Sequence, residues 1–184
     1  DGQKQQVLDG FTHNGLPLYL QLAFERARRW CSYDDPENLA DDVRGLVRML
    51  IAELSQEINH GELFVDRVLD YLAAARHGLT EDELLDVLSR DQDVLNDFRR
   101  RSYQAPAEEE LPVVVWSRLH GDLAPYLVER DADGARVLAF FHKQFMELAV
   151  EESLEVEEVP QRAASLADYF SSQPNFLDAE RARP

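Results

Sequence analysis

The sequence predicts a mainly α-helical fold with one short antiparallel β-hairpin. Along most of the 184 residues, apolar side chains recur at the three- and four-residue intervals of amphipathic helices. Residues 126–130 and 136–141 differ, because they are short runs rich in β-branched and aromatic residues. Between them stands Asp-Ala-Asp-Gly at 131–134, whose Asp-Gly pair supplies the positive φ of a tight hairpin.

The first third of the chain predicts three helical stretches. Residues 1–11 are polar and indicate the end of a helix, and Pro17 is suited to open the next one. Asp41 or Asp42 can cap a long third helix that extends to Ile58. The stripe predicted to be buried on the second helix is Leu16, Leu20, Ala23, Ala27 and Trp30.

The middle of the chain carries a sharp helix–turn–helix signal. Residues 62–77 keep a helical period, and Gly78 stands where a left-handed residue would close that helix. Thr80 and Glu83 form a capping box, flanked by Leu79 and Leu84 as a hydrophobic staple. The two helices must therefore cross at a steep angle.

The order of elements predicts a winged helix. Residues 62–77, 80–88 and 113–124 give three helices, and the hairpin follows the third, with one extra helix at 91–101 inserted before it. The loop around Pro106 is predicted to be a flexible or an inserted segment. An acidic linker, 151–158, leads to a last helix opened by Pro160, whose predicted buried residues are Ala163, Leu166, Ala167 and Phe170.

Charge and missing motifs restrict the function. The formal net charge is −17, with 36 acidic and 19 basic residues, so we expect neither nucleic acid nor a membrane as partner. The single cysteine, Cys31, excludes an internal disulfide, and a cytoplasmic location is expected. The phosphate-binding G-x-x-x-x-G-K-[ST] loop, G-x-G-x-x-G, H-E-x-x-H and G-x-S-x-G are absent, so we predict no catalytic residue, no metal ligand and no enzyme activity for this chain.

A nucleic-acid- or protein-binding winged helix without any nucleotide link is the alternative interpretation. In that case Arg118 and His120 on the third helix could face DNA. Asp122 on the same helix and the acidic total argue against DNA binding.

His142 is the candidate functional residue that the elements themselves single out. The second strand continues without a breaker into a helix that contains Phe145, Leu148 and Ala149. At such a junction, unpaired backbone N–H groups and the positive end of the helix dipole favour an anion. A histidine there can also be a cap or a packed residue, just as Pro17 is explained by helix geometry alone.

Four segments together resemble a known family. They are YLAAARHGLTEDELLDVLS at 71–89, VVWSRLHGDLAPYL at 114–127, LAFFHKQFMELA at 138–149 and NGLPLYLQLAFERAR at 14–28. The first three resemble the winged-helix region that follows the nucleotide-binding domain of STAND NTPases. The similarity is greatest to NACHT-type members like telomerase-associated protein, nephrocystin and bacterial proteins with WD or TPR repeats. The fourth resembles the G-x-P segment of the small helical domain in the same proteins.

The resemblance implies both a domain plan and a site. Residues 1–58 would be the end of the small helical domain with a linker helix, 59–155 the winged helix, and 156–184 a helix leading to a further domain of a longer polypeptide. Pro17, within Gly-Leu-Pro, would contact the adenine of a nucleotide, and His142 the phosphate of ADP. The chain itself would need no cofactor, while ADP and ATP would bind the parent.

The resemblance also implies a role. The chain would be an autoinhibitory, nucleotide-state-coupling module of an ATPase in signalling of the innate-immunity kind. Its partner would be the nucleotide-binding domain of the same parent, which would oligomerise on activation.

Overall fold

The computed structural model describes residues 2–30, 39–102, 110–132, 134–153 and 159–173. These residues form nine α-helices and one two-stranded antiparallel sheet, so the predicted fold class is confirmed. The loop predicted around Pro106, the acidic linker at 154–158, Cys31 and the tail from Pro174 lie outside the described residues.

The helices and strands follow one another in the predicted order. In chain order the elements are α1 Gly2–Asn14, α2 Pro17–Ala27, α3 Val43–Leu54, α4 Glu62–Ala74, α5 Glu81–Arg90, α6 Gln92–Arg101, α7 Val113–Leu123, a 3-10 turn Ala124–Tyr126, β1 Leu127–Ala132, β2 Ala135–Phe140, α8 Lys143–Ser153 and α9 Val159–Ser172. No helix among the described residues has the length and apolar character needed to cross a membrane.

The wing is the predicted hairpin. β1 and β2 pair from Leu127 opposite Phe140 to Ala132 opposite Ala135, which leaves two residues for the loop. Gly134 in that loop has φ +84°, as the Asp-Gly signal requires. Leu79 adds an isolated bridge to β2 through two backbone hydrogen bonds with Leu138, of 3.1 and 2.7 Å.

The helix starts follow the predicted caps. Asp42 accepts a hydrogen bond from the backbone N–H of Gly45 at 2.7 Å, so it caps α3. The Thr80 hydroxyl accepts from the N–H of Glu83, and the Glu83 carboxylate accepts from the N–H of Thr80, which completes the capping box of α5.

The predicted stripe of α2 is only partly right: Ala23 is buried, and Leu20 and Ala27 pack partly against the core. Leu16 is 43% exposed, whereas the buried residues of α2 are Leu18, Tyr19, Leu22 and Ala23. The reason is tertiary: α2 packs against both α1 and α3, and the Tyr19 hydroxyl donates to the carbonyl of Ala40 at 3.0 Å. A tyrosine that needs a buried partner for its hydroxyl fixes the rotation of the helix.

Helix α3 ends at Leu54 and not at Ile58. The Asn59 side chain donates to the carbonyl of Glu53 at 2.7 Å, and the backbone N–H of His60 donates to Leu54 at 3.2 Å. These bonds satisfy the last carbonyls of the helix and turn the chain away. As a consequence, Ile58 projects into solvent.

The last helix is also rotated from its prediction. Leu166 is buried, as predicted, but Ala163, Ala167 and Phe170 are exposed, and Arg162 and Tyr169 take the inner face. The prediction assumed that only apolar residues face inward. Here Tyr169 donates to Asp86 on α5 at 3.1 Å, so a polar contact decides the orientation of α9.

Candidate functional site

His142 lies exposed between β2 and α8 and caps the helix. Its Nδ1 accepts a hydrogen bond from the backbone N–H of Gln144 at 3.1 Å, and its carbonyl accepts from Met146 at 3.1 Å. A ring nitrogen that accepts carries no proton, so the neutral imidazole holds its proton on Nε2. The ring therefore presents an N–H donor at the positive end of α8.

Aromatic packing fixes the position of this helix start. Phe145, one turn into α8, is fully buried and stacks on Tyr126 with ring centroids 5.1 Å apart. The backbone N–H of Phe141 donates to the carbonyl of Tyr126 at 3.1 Å. Burial raises the pKa of Tyr126 to about 12, which keeps its ring neutral. The phenylalanines on either side of His142 are thus anchored, while the histidine faces solvent.

Pro17 is likewise exposed, at the first position of α2. Gly15 before it has φ +72°, and its N–H bonds to Phe11 at 2.7 Å, which ends α1 and turns the chain into α2. Leu16 and Phe24 are exposed on the same helix, so the face of α2 away from the core is partly apolar.

Pro17 and His142 lie at the two ends of a short bonded path and not inside one closed pocket. The Gln21 side chain, one turn after Pro17, donates to the carbonyl of Pro125 at 3.0 Å. The next residue is Tyr126, whose carbonyl holds Phe141 beside His142. Neither Pro17 nor His142 lines the cavities of about 10, 410, 490 and 770 Å³ on the described part of the chain.

An ion-pair chain ties α2 and α3 to the third helix of the winged helix. Glu53 on α3 binds Arg26 at 2.8 Å and Arg29 at 3.1 Å. Arg29 also binds Asp122 on α7 at 3.1 Å, and Asp122 contacts buried His60 at 2.9 Å. Sequence reasoning placed Asp122 as an argument against DNA binding and missed this connection, because no local pattern pairs residues 62 positions apart.

A second set of ion pairs holds the far end of α8 against α3. Glu152 accepts from Arg48 at 2.6 and 3.0 Å and from Arg44 at 3.3 Å. The hydrogen bond from Arg48, with the help of Arg44, lowers the pKa of Glu152 below its usual range. The helix that His142 caps is therefore fastened to α3 at its other end.

Four charged side chains buried under α9 form a group that sequence reasoning also missed. Arg67 and Asp70 on α4, Asp91 before α6 and Arg162 on α9 lie together, with each arginine 3.2 to 4.0 Å from both aspartates. A signal was present, because Arg67 and Asp70 stand three residues apart within an apolar helix.

The third helix presents few groups that could read nucleic acid. His120 stacks on Trp116 at 5.1 Å and pairs with Glu81 at 3.3 Å, so its ring is engaged inside the protein. Of the exposed residues on α7, Arg118 is cationic, whereas Val113 and Val114 are aliphatic. Within the described part of the chain, no cluster of three or more His, Cys, Asp or Glu could hold a metal.

Comparison with known proteins gives a consistent assignment. The model of the NWD1-like winged helix-turn-helix domain matches residues 37–152. The human NACHT domain- and WD repeat-containing protein 1 is 43% identical over 159 residues, which are 85% of this chain and 10% of that protein. Its mouse counterpart is 37% identical over 172 residues, 92% of this chain and 11% of that protein.

A more distant relative is the mouse NACHT and WD repeat domain-containing protein 2, which is 29% identical over 173 residues, 92% of this chain and 10% of that protein. The chain thus spans about a tenth of the length of these curated relatives. No solved structure matches. The division into 1–58, 59–155 and 156–184 stays a prediction, whereas the resemblance to the winged-helix region of NACHT-type proteins is confirmed. The chain belongs to the family of NWD1-like winged helix-turn-helix domains.

Proposed function

We propose that this chain is the regulatory module of a larger NACHT-containing NTPase and that it couples nucleotide state to domain arrangement. The chain itself is no enzyme in this proposal, and ADP and ATP bind the parent. Its partner is the nucleotide-binding domain of the same polypeptide, in the cytoplasm. With ADP bound, the module holds the parent closed, and on activation it swings away so that the parent oligomerises.

The observation that carries this proposal is the outward donor at His142. A neutral Nε2–H beside the amides at the start of α8 suits a phosphate oxygen, since both the donor and the helix dipole favour negative charge. The exposure of the ring supports the same reading, because a histidine packed among the neighbouring phenylalanines could not reach a ligand. Pro17, exposed beside apolar Leu16, supplies a surface for the adenine ring.

The helix cap allows a test that separates folding from sensing. His142→Ser keeps a side-chain oxygen that can cap α8 but removes the outward N–H, whereas His142→Ala removes both. In the full-length parent we expect His142→Ser to unfold at the wild-type temperature and to release bound ADP faster. The loss of a hydrogen bond to a charged group predicts roughly 10- to 100-fold faster release.

The controls follow from the same reasoning. His77 is another exposed histidine, so His77→Ser should leave ADP release unchanged. His142→Ala should lose ADP as His142→Ser does and should also be less stable by about 1 kcal/mol. Wild-type ADP retention in His142→Ser would show that the histidine only caps the helix, and the sensing role would have to be abandoned.

A further inference from the structure

A groove beside the third helix exposes aliphatic side chains that no described residue covers. The turn at 57–60, the end of α6 and the start of α7 enclose about 490 Å³. Ile58 is 84% exposed at its rim, and Val114 is 62% exposed. Covering these side chains with apolar groups of a partner favours binding, because it removes apolar surface from water.

The backbone holds Ile58 in this position. The two residues that follow Ile58 fix the turn: Asn59 donates to the carbonyl of Glu53, and His60 contacts Asp122 at 2.9 Å. Because both of these residues are bonded inward, the turn leaves the side chain of Ile58 facing solvent. The exposure is therefore a property of the fold, and the loop does not need to move to present it.

Charged side chains of both signs stand around the groove. Arg101 and Arg118 line it, and Arg100 stands beside Arg101 on the last turn of α6. Asp97 and Glu57 pair with the arginines of α6. Arg118, by contrast, forms no ion pair with any residue that the structure describes, and it is exposed one turn after Val114. On a chain of net charge −17, Arg118 thus leaves one positive charge at this groove without a paired carboxylate among the described residues.

We propose that this groove docks an acidic amphipathic helix of a protein partner, with apolar residues on Ile58 and Val114 and a carboxylate on Arg118. The aliphatic centre gives nothing for phosphates or base edges to bond, which disfavours nucleic acid. Two copies of a chain of charge −17 repel each other, which disfavours self-association. This inference does not depend on the nucleotide role of His142.

The test uses two labelled helical peptides with the same leucine face, one with glutamates on its polar face and one with lysines. Fluorescence anisotropy should show saturable binding of the glutamate peptide and at least tenfold weaker binding of the lysine peptide. Arg118→Glu should lose at least tenfold affinity for the glutamate peptide and gain affinity for the lysine peptide. Val114→Ser should weaken both, whereas Leu8→Ser, at another exposed apolar residue, should change neither. All three positions are exposed, so thermal unfolding should confirm that the variants fold.

Three further measurements would show whether the groove binds a different partner. A photoreactive amino acid in place of Val114 that crosslinks to residues 103–109 of the same chain would assign the groove to the chain itself. If a DNA duplex binds more tightly than the glutamate peptide, the groove binds nucleic acid. If the chain forms a dimer and Val114→Ser makes that dimer dissociate, the groove binds a second copy of the chain. Any of these results, an unaltered affinity in Arg118→Glu, or no saturable peptide binding would overturn the proposal.

Discussion

Gly78 is the position where one added methyl group should do the most damage. It has φ +89°, and a Cβ built there would lie 2.5 Å from the carbonyl oxygen of Leu138 and 3.0 Å from a methyl of Val137. The sequence predicted this glycine as the residue that closes α4, but α4 ends at Ala74. Its real role is to let the chain pass close to β2, so that Leu79 can bridge to Leu138.

The cost of Gly78→Ala has two parts. A left-handed alanine costs about 1 to 2 kcal/mol. The clash with a backbone oxygen must displace the bridge, whose two hydrogen bonds contribute about 0.5 to 1.5 kcal/mol each. We therefore expect a loss of roughly 2 to 5 kcal/mol, which is a large part of the ~5–15 kcal/mol that holds a domain folded.

Variants of two other glycines distinguish the cost of the left-handed backbone from the cost of the clash. Gly134 has a similar φ of +84° but open space around its Cβ, so Gly134→Ala should lose only about 1 to 2 kcal/mol. Gly121 lies in α7 with nothing near its Cβ, so Gly121→Ala should stabilise the protein by up to about 1 kcal/mol. Urea unfolding followed by circular dichroism gives all three free energies. If Gly78→Ala loses no more than Gly134→Ala, the close approach of the chain to β2 is not a source of strain, and the reasoning fails.

Three further predictions concern the capping box, an ion pair and a buried tyrosine. Thr80→Ala should lower the free energy of unfolding by about 1 kcal/mol, while Thr80→Ser, which keeps the hydroxyl, should lose less than half of that. Because Arg48 lowers the pKa of Glu152, the ion pair stabilises the fold above the ordinary carboxyl pKa and loses that effect as pH falls through the lowered value. Glu152→Gln should thus be less stable than wild type at neutral pH and equal to it in acid, and a constant difference across a pH series of melts would contradict this. Burial raises the pKa of Tyr126 from 10.0 to about 12, so the stability it contributes is complete below pH 10.0 and lost as pH rises through 12. Between pH 10.0 and about 12, the free energy of unfolding of Tyr126→Phe should therefore fall less than that of the wild type, as measured by unfolding at alkaline pH.

Signals that act within a few residues were sufficient to predict most helix starts and the wing. The cap at Asp42, the capping box at Thr80 and the left-handed Gly134 each depend on backbone geometry that neighbouring residues determine. The rotation of the helices about their axes was harder to predict. On α2 the choice between two apolar faces depended on the bond from Tyr19 to Ala40, and on α9 it depended on Tyr169 reaching Asp86.

At the candidate site, too, local features could be predicted from the sequence and tertiary contacts could not. The place of His142 between strand and helix followed from the sequence, because a junction is a local feature. The tautomer of its ring did not follow from the sequence, because it depends on the hydrogen bond that Nδ1 accepts from the backbone N–H of Gln144. The connection from Glu53 through Arg29 to Asp122 joins three elements, and sequence spacing contains no information on such a contact.

Helix α3 connects the two candidate contacts of the proposed module. Its Glu53 binds Arg26 on the helix that Pro17 opens, and its Arg48 binds Glu152 on the helix that His142 caps. The 11 residues of α8 span roughly 16 Å, and a helix is rigid over that length. A shift of the start of α8 would therefore also move Glu152 relative to Arg48. Arg48 is largely exposed, and an exposed ion pair contributes only about 0 to 1 kcal/mol. Pairs of that strength add only a small bias to the position of α8, which the buried packing of Phe145 and Ala149 already fixes.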